Sequence, residues 1–166
     1  MPVLDRQSLE FISRSPEQTR RVGMRLGALL DPGDLVCLVG ELGAGKTTLV
    51  QGLAAGWGSL DRATSPSFVL VNLYRRPMEG SFFHVDAYRL SSPAEAEDLD
   101  VDALLEKGPV VVEWADRVQK AFPSERLWVT LSWIDDSQRD MVFSAHGMHY
   151  QELLNELRKH IFGVAA

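Results

Sequence analysis

The run GELGAGKTTLV, residues 40–50, sets three glycines, a lysine and two threonines at fixed offsets. Gly40, Gly45, Lys46 and Thr47 have phosphate-loop spacing, with Gly43 as an extra glycine inside. Small residues let successive backbone N–H groups curl around a polyphosphate, where larger side chains would clash or force forbidden dihedrals. A helix following the loop points its N-terminus at the same anion. The whole segment Glu41, Leu42, Gly43, Ala44, Gly45, Lys46, Thr47 and Thr48 is therefore read as nucleotide-binding, with Lys46 on the terminal phosphates and the Thr47 hydroxyl a ligand for Mg²⁺.

Binding alone does not turn a nucleotide over; acids must hold metal and orient a nucleophile. Two candidates follow the loop. In HVDAYR, residues 84–89, alternation places His84, Asp86 and Tyr88 on one strand face and Phe83, Val85 and Ala87 on the other. Such a strand could line a site, or simply be half exposed. Glu113 ends the apolar run Val110, Val111, Val112, where α/β sheets present ligand-contacting groups and where a metal-holding acid of the Walker-B kind stands. Trp114 beside it could pack on a base or ribose, or belong to the core. The hydroxyl-rich stretch TSPSF, residues 64–68, has the make-up of a loop able to sense a γ-phosphate.

These residues need elements to hold them. Ser15, Pro16 and Gln18 form a helix start of capping-box type, and Val22, Leu26, Leu29 and Leu30 continue it as an apolar stripe broken at residues 31–33. LVCLV, residues 35–39, reads as a strand buried on both faces, feeding the loop and a helix over about 46–57 that Gly58 ends. Strands are expected over 68–74 and 81–90, paired antiparallel across 75–80, then one acidic helical stretch over about 92–107. A buried strand over 110–114, a hairpin from 126–133 and 139–145, and a terminal helix over 150–162 complete the chain. The expected fold is α/β: one P-loop domain over residues 1–166 with a mixed parallel and antiparallel sheet flanked by helices, the role of 150–166 left open.

Composition narrows the function. The chain has 166 residues and 45% hydrophobic content, enough for a single core. No run reaches the roughly 18 apolar residues of a membrane helix, the N-terminus lacks a signal pattern, and Cys37 is the only cysteine, which points to the cytosol. The net charge is −6, and basic residues cluster only in pairs such as Arg20-Arg21 and Arg158-Lys159. Nucleic-acid affinity rests on clustered cations, so any action on a nucleic acid is expected through a partner. His146 and His149 lack the companions of a zinc site. There is no serine-hydrolase elbow and no guanine-reading Asn-Lys-x-Asp.

Taken together, GELGAGKTT, TSPSF, HVDAYRL (residues 84–90) and VVVEWADRV (residues 110–118), with Glu17-Gln18-Thr19 in the first helix, resemble the TsaE (formerly YjeE) family. The order and spacing of these motifs carry the resemblance over most of the chain. It implies a small ATPase of tRNA threonylcarbamoyladenosine synthesis that binds ATP and Mg²⁺, hydrolyses ATP weakly alone, and serves the TsaD–TsaB pair, meeting tRNA only through that complex. By the same resemblance Lys46 grips phosphate, Thr47 and Glu113 hold the metal, Asp86 orients or activates water, and Thr19 and Arg139 lie near the nucleotide. Ser67 replaces a usual Thr and Glu41 a common Asp. A small-molecule kinase is the second reading, although no arginine-rich lid segment is evident. A nucleotide-sensing module without turnover is the third.

Overall fold

Leu35–Val39 is the strand on which the architecture turns, because its first four residues are buried and the fifth is half-buried. The computed structural model describes residues 7–41, 43–61, 63, 71–88, 90, 92–117 and 119–162. We label the strands β1 (Ser8–Ser13), β2 (Leu35–Val39), β3 (Val71–Arg75), β4 (Ser81–Asp86), β5 (Val110–Glu113), β6 (Arg126–Trp133) and β7 (Arg139–His146). The helices are α1 (Pro16–Gly27), α2 (Lys46–Trp57), α3 (Pro93–Asp98), α4 (Val101–Lys107) and α5 (Met148–Phe162).

The strands form one sheet in the order β1-β7-β6-β2-β5-β4-β3. β2 runs parallel to both β5 and β6, and β4 runs parallel to β5, while β1/β7, β6/β7 and β3/β4 are antiparallel. Val36 and Leu38 enter a core shared with α1, α2 and α5, whereas Leu35 and Cys37 enter a second core with α3 and α4. Burial pushes the Cys37 thiol up to about 12, which removes it from redox chemistry at neutral pH. Beyond β2 the sheet is covered more fully on one side, and β6 and β7 alternate buried and part-exposed residues. No helix among the described residues is long and apolar enough to cross a membrane.

Local chemistry explains the helix boundaries. Ser15 accepts the Gln18 N–H at 3.1 Å, and the Gln18 side chain reaches back to the Arg14 N–H at 2.8 Å. The capping box thus closes one residue earlier than its usual partner. The first two helices then cross backbone to backbone. A Cβ on Gly56 would lie 1.9 Å from the Met24 carbonyl oxygen, and one on Gly52 2.2 Å from that of Arg20. α2, which carries the phosphate loop at its N-terminus, is therefore locked onto α1. The terminal helix has a definite role: Tyr150 Oη accepts the N–H of Leu35, the first residue of β2, at 2.9 Å. Burial pushes this phenol up to about 12, so it stays protonated.

Several sequence expectations need correction. The acidic stretch over 92–107 is two helices, because Asp100 takes a left-handed conformation (φ 50°) and starts α4 by accepting the Ala103 N–H at 3.3 Å. The strand expected over 81–90 ends at Asp86, and the one over 110–114 ends at Glu113, where Trp114 turns to φ 59°. The strand expected from 68 is described from Val71 to Arg75, and the TSPSF segment lies outside the described residues. β1 was not expected at all. Exchanging Gly56 for alanine should cost about 1–3 kcal/mol of stability through overpacking; a thermal melt of G56A against the native chain reads this directly.

Candidate functional site

At the C-terminal ends of the parallel strands, register puts Leu38 beside Glu113 and Glu113 beside Asp86. Open α/β sheets leave their binding crevice at this edge. Here it is a cavity of about 470 Å³ bounded by Gly43, Lys46, Thr47, Asp86, Glu113 and Arg139, among others. The loop above it turns through two left-handed glycines, Gly43 (φ 80°) and Gly45 (φ 99°), and Gly45 caps α2. A side chain would be strained at either position. Ala44 is packed in the core and is not among the residues that line the cavity. Leu42 lies outside the described residues.

Lys46 is 6% exposed and folds back over its own loop. Its Nζ donates to the Gly40 carbonyl and, at 2.9 Å, to the Glu41 carbonyl, and it stands 4.1 Å above the Trp114 ring. Burial pushes this ammonium below the usual lysine range, while Glu113, Asp116, Asp86 and Glu41 push it back up. The lysine is thus a cation held by neutral carbonyls within reach of several acids. A multiply charged anion is a stronger partner than those carbonyls.

Arg139 closes the opposite wall. Its Nε donates to the Gly43 carbonyl at 3.0 Å, and Nη1 donates to the Asp135 and Gln138 carbonyls at 2.6 and 2.9 Å. One guanidinium therefore joins the phosphate loop to the β6–β7 turn. Tyr88 stacks on Trp114 with centroids 5.0 Å apart, and the Arg117 guanidinium lies 4.6 Å from the Tyr88 ring. Together they make a cation–aromatic ladder from Lys46 to Arg117 along one rim. Thr47 and Thr48 line the floor, and the Glu41 side chain is exposed.

Most of the expected site residues converge here, but not all as expected. Thr19 does not line the cavity. It is 2% exposed, shares a 2.6 Å hydrogen bond with Ser13 Oγ, and secures the start of α1. His84 shares a strand face with Asp86 as expected but does not itself border the cavity. It is fully buried beneath Tyr74 and Phe82, and Tyr88 falls beyond the strand. Asp116 and the extent of the Arg117–Tyr88 stack were missed, although an acid three residues after Glu113 is visible in the EWAD tetrapeptide. Among the described residues, no set of three or more His, Cys, Asp or Glu side chains could hold a metal unaided.

Comparison with known proteins follows the same residues. The model of the family described as Threonylcarbamoyl adenosine biosynthesis protein TsaE matches residues 13–141. The tRNA threonylcarbamoyladenosine biosynthesis protein TsaE of Bacillus subtilis is 34% identical over 93% of this chain and 96% of its own length. Its counterpart in Streptomyces coelicolor is 47% identical over 65% of this chain and 74% of its own. The fold is similar to the crystal structure of Bacillus subtilis YdiB, with a TM-score of 0.77 and 31% identity over 93% of this chain and 97% of that one. The loop, both strand-end acids, Trp114 and Arg139 all fall inside the matched span, and the chain belongs to the TsaE family.

Proposed function

We propose that this chain is a Mg²⁺-dependent ATPase that acts in tRNA threonylcarbamoyladenosine synthesis by cycling the TsaD–TsaB pair, with weak hydrolysis on its own. The observation that carries this reading is the parallel register, which sets Asp86 and Glu113 side by side across one cavity from Lys46 and the two left-handed glycines. A phosphate-binding loop facing two carboxylates at its outer end suits hydrolysis better than passive binding.

The donor set fits magnesium that arrives with a nucleotide. Mg²⁺ keeps waters and phosphate oxygens in its shell and asks the protein for only one or two carboxylates. Thr47 and Glu113 supply one hydroxyl and one carboxylate on the same cavity, without a pre-built metal cage. When bound, the metal would neutralise charge between the outer phosphates.

The protein's own part is positional. Lys46 exchanges its two carbonyl partners for phosphate oxygens, gaining charge-assisted hydrogen bonds in a largely buried place. The backbone of residues 43–47 and the N-terminus of α2 hold the rest of the triphosphate. Asp86 is itself fixed, its Oδ1 accepting the Tyr88 N–H at 2.9 Å, and so can hold a water in line with the outer phosphate. Trp114 and Tyr88 give an apolar rim that excludes bulk water or receives the base. ATP supplies the driving force and TsaD–TsaB the tRNA contact, which agrees with a chain of net charge −6.

Three outcomes are expected. Calorimetry should detect binding of ATP with magnesium, and Lys46→Ala should weaken it by about 10-fold or more; no heat from the native chain would end this reading. Phosphate should be released without any acceptor, at a rate changed by TsaD–TsaB, and Glu113→Ala should cut turnover by about 100-fold or more while ATP binding changes far less. Release that needs an acceptor would indicate a kinase instead. The isolated chain should show no tight, salt-sensitive binding to tRNA in a filter or fluorescence titration.

A further inference from the structure

His84 is an odd occupant of its place. It lies on β4 between Phe82 and Asp86 on one strand face, is 0% exposed, and sits among the apolar side chains of the larger core. A core position needs no imidazole, and burying one is costly unless both ring nitrogens are bonded. Both are. Nε2 lies 2.5 Å from Glu113 Oε2, and Nδ1 lies 2.9 Å from the Tyr74 hydroxyl. Three residues on three neighbouring strands, β3, β4 and β5, thus form one hydrogen-bonded chain that ends at the cavity.

The direction of that chain follows from its ends. Glu113 as a carboxylate can only accept, so Nε2 carries the proton and donates. Nδ1 meets the Tyr74 hydroxyl, a group able to donate or to accept, so the ring is held at both nitrogens. The consequence falls on Glu113. One of its oxygens, Oε2, is taken from below, and among the described residues the other has no hydrogen-bond partner. The side chain is 4% exposed and borders the cavity beside Asp86 and Lys46. A carboxylate held at one oxygen loses rotational freedom and leaves the other oxygen for the cavity.

We propose that His84 is a positioning residue for Glu113, with Tyr74 holding the imidazole ring in place, so that Glu113 turns its other oxygen to the metal and the outer phosphates. This rests on the ATPase reading above. The relation is the familiar one in which an outer hydrogen bond orients a metal-binding group and tunes its strength.

The test uses the full chain, with phosphate release, the Mg²⁺ concentration for half-maximal rate, calorimetric ATP affinity in chelator and in magnesium, and ¹⁵N-histidine NMR. In the native chain one histidine should show a protonated Nε2 in a strong hydrogen bond, and Glu113→Ala should shift that signal. His84→Ala should lower kcat and raise the Mg²⁺ requirement by about 10–100-fold, with metal-free ATP affinity nearly unchanged. His84→Gln, whose amide can donate from a similar reach, should recover most of the loss, and Tyr74→Phe should lose only a few-fold. Should His84→Ala not fold, His84→Gln and Tyr74→Phe carry the test alone. Native kcat and Mg²⁺ dependence in His84→Ala would overturn the proposal, as would a folded His84→Gln as inactive as Glu113→Gln. Failure of the parent reading looks different: the native chain releases no phosphate, or Glu113→Gln turns over normally, and the positioning role falls with it. A dead Glu113→Gln beside a fully active His84→Ala overturns the positioning role alone.

Discussion

Parallel pairing of β4, β5 and β2 governs what this surface can do. Parallel strands begin and end at matched levels, so residues far apart in the chain finish on one line. Here that line runs from Asp86 through Glu113 to Leu38, with the phosphate loop starting two residues beyond Leu38. A shift of one residue in β5 would turn the Glu113 side chain to the opposite face and remove it from the loop. Register is held by burial on both faces: Val110, Val111 and Val112 are each almost wholly excluded from solvent. The apolar run is thus as necessary to the chemistry as the acid that ends it.

Electrostatics at the cavity follow from the same crowding. Lys46 feels Glu113, Asp116, Asp86 and Glu41 at once, and it and Arg139 are already engaged. Lys46 is bonded to loop carbonyls and stacked on Trp114, while Arg139 is bonded to three carbonyls. Carbonyl partners satisfy a cation without neutralising it. A cation held by dipoles alone keeps its charge available to an acid or an anion. The left-handed backbone at Trp114 belongs here as well. It ends β5 right after Glu113 and swings the indole over Lys46, a strained conformation of the kind that persists where the surroundings over-determine it.

Much of this was legible in the residues and some was not. The loop, the central strand, the β6–β7 hairpin and the strand-end position of Glu113 are read from local pattern, since each depends on neighbours in sequence. β1 was not, because its pattern misleads. Ile12 is exposed and Ser13 is wholly buried, the reverse of what polarity suggests, and the strand exists through pairing with β7. Asp100 broke an otherwise continuous helical pattern by adopting a conformation that few non-glycine residues take. His84 was assigned to the wrong surroundings for a related reason. Alternation tells which residues share a face, not whether that face meets solvent or a helix layer. Thr19 stands where the motif puts it, and its hydroxyl is bonded to Ser13 at the start of α1, a contact that no local pattern announces.

The scaffold around the loop is rigid on one side and tied on the other. Behind α2, the backbone contact with α1 leaves no room for a methyl group at Gly52 or Gly56, so the helix cannot slide without breaking the seam. Beneath β2, Tyr150 fastens the strand's first N–H to the terminal helix. Above these supports, Gly43 and Gly45 take left-handed φ and the Gly43 carbonyl is held by Arg139. That guanidinium also holds the Asp135 and Gln138 carbonyls of the β6–β7 turn, next to the exposed Trp133 and Ile134. Any displacement of the loop tip must either break the Gly43 bond or move the turn with it. Arg139 thereby ties the loop to an exposed apolar corner of the surface, through one side chain and three hydrogen bonds.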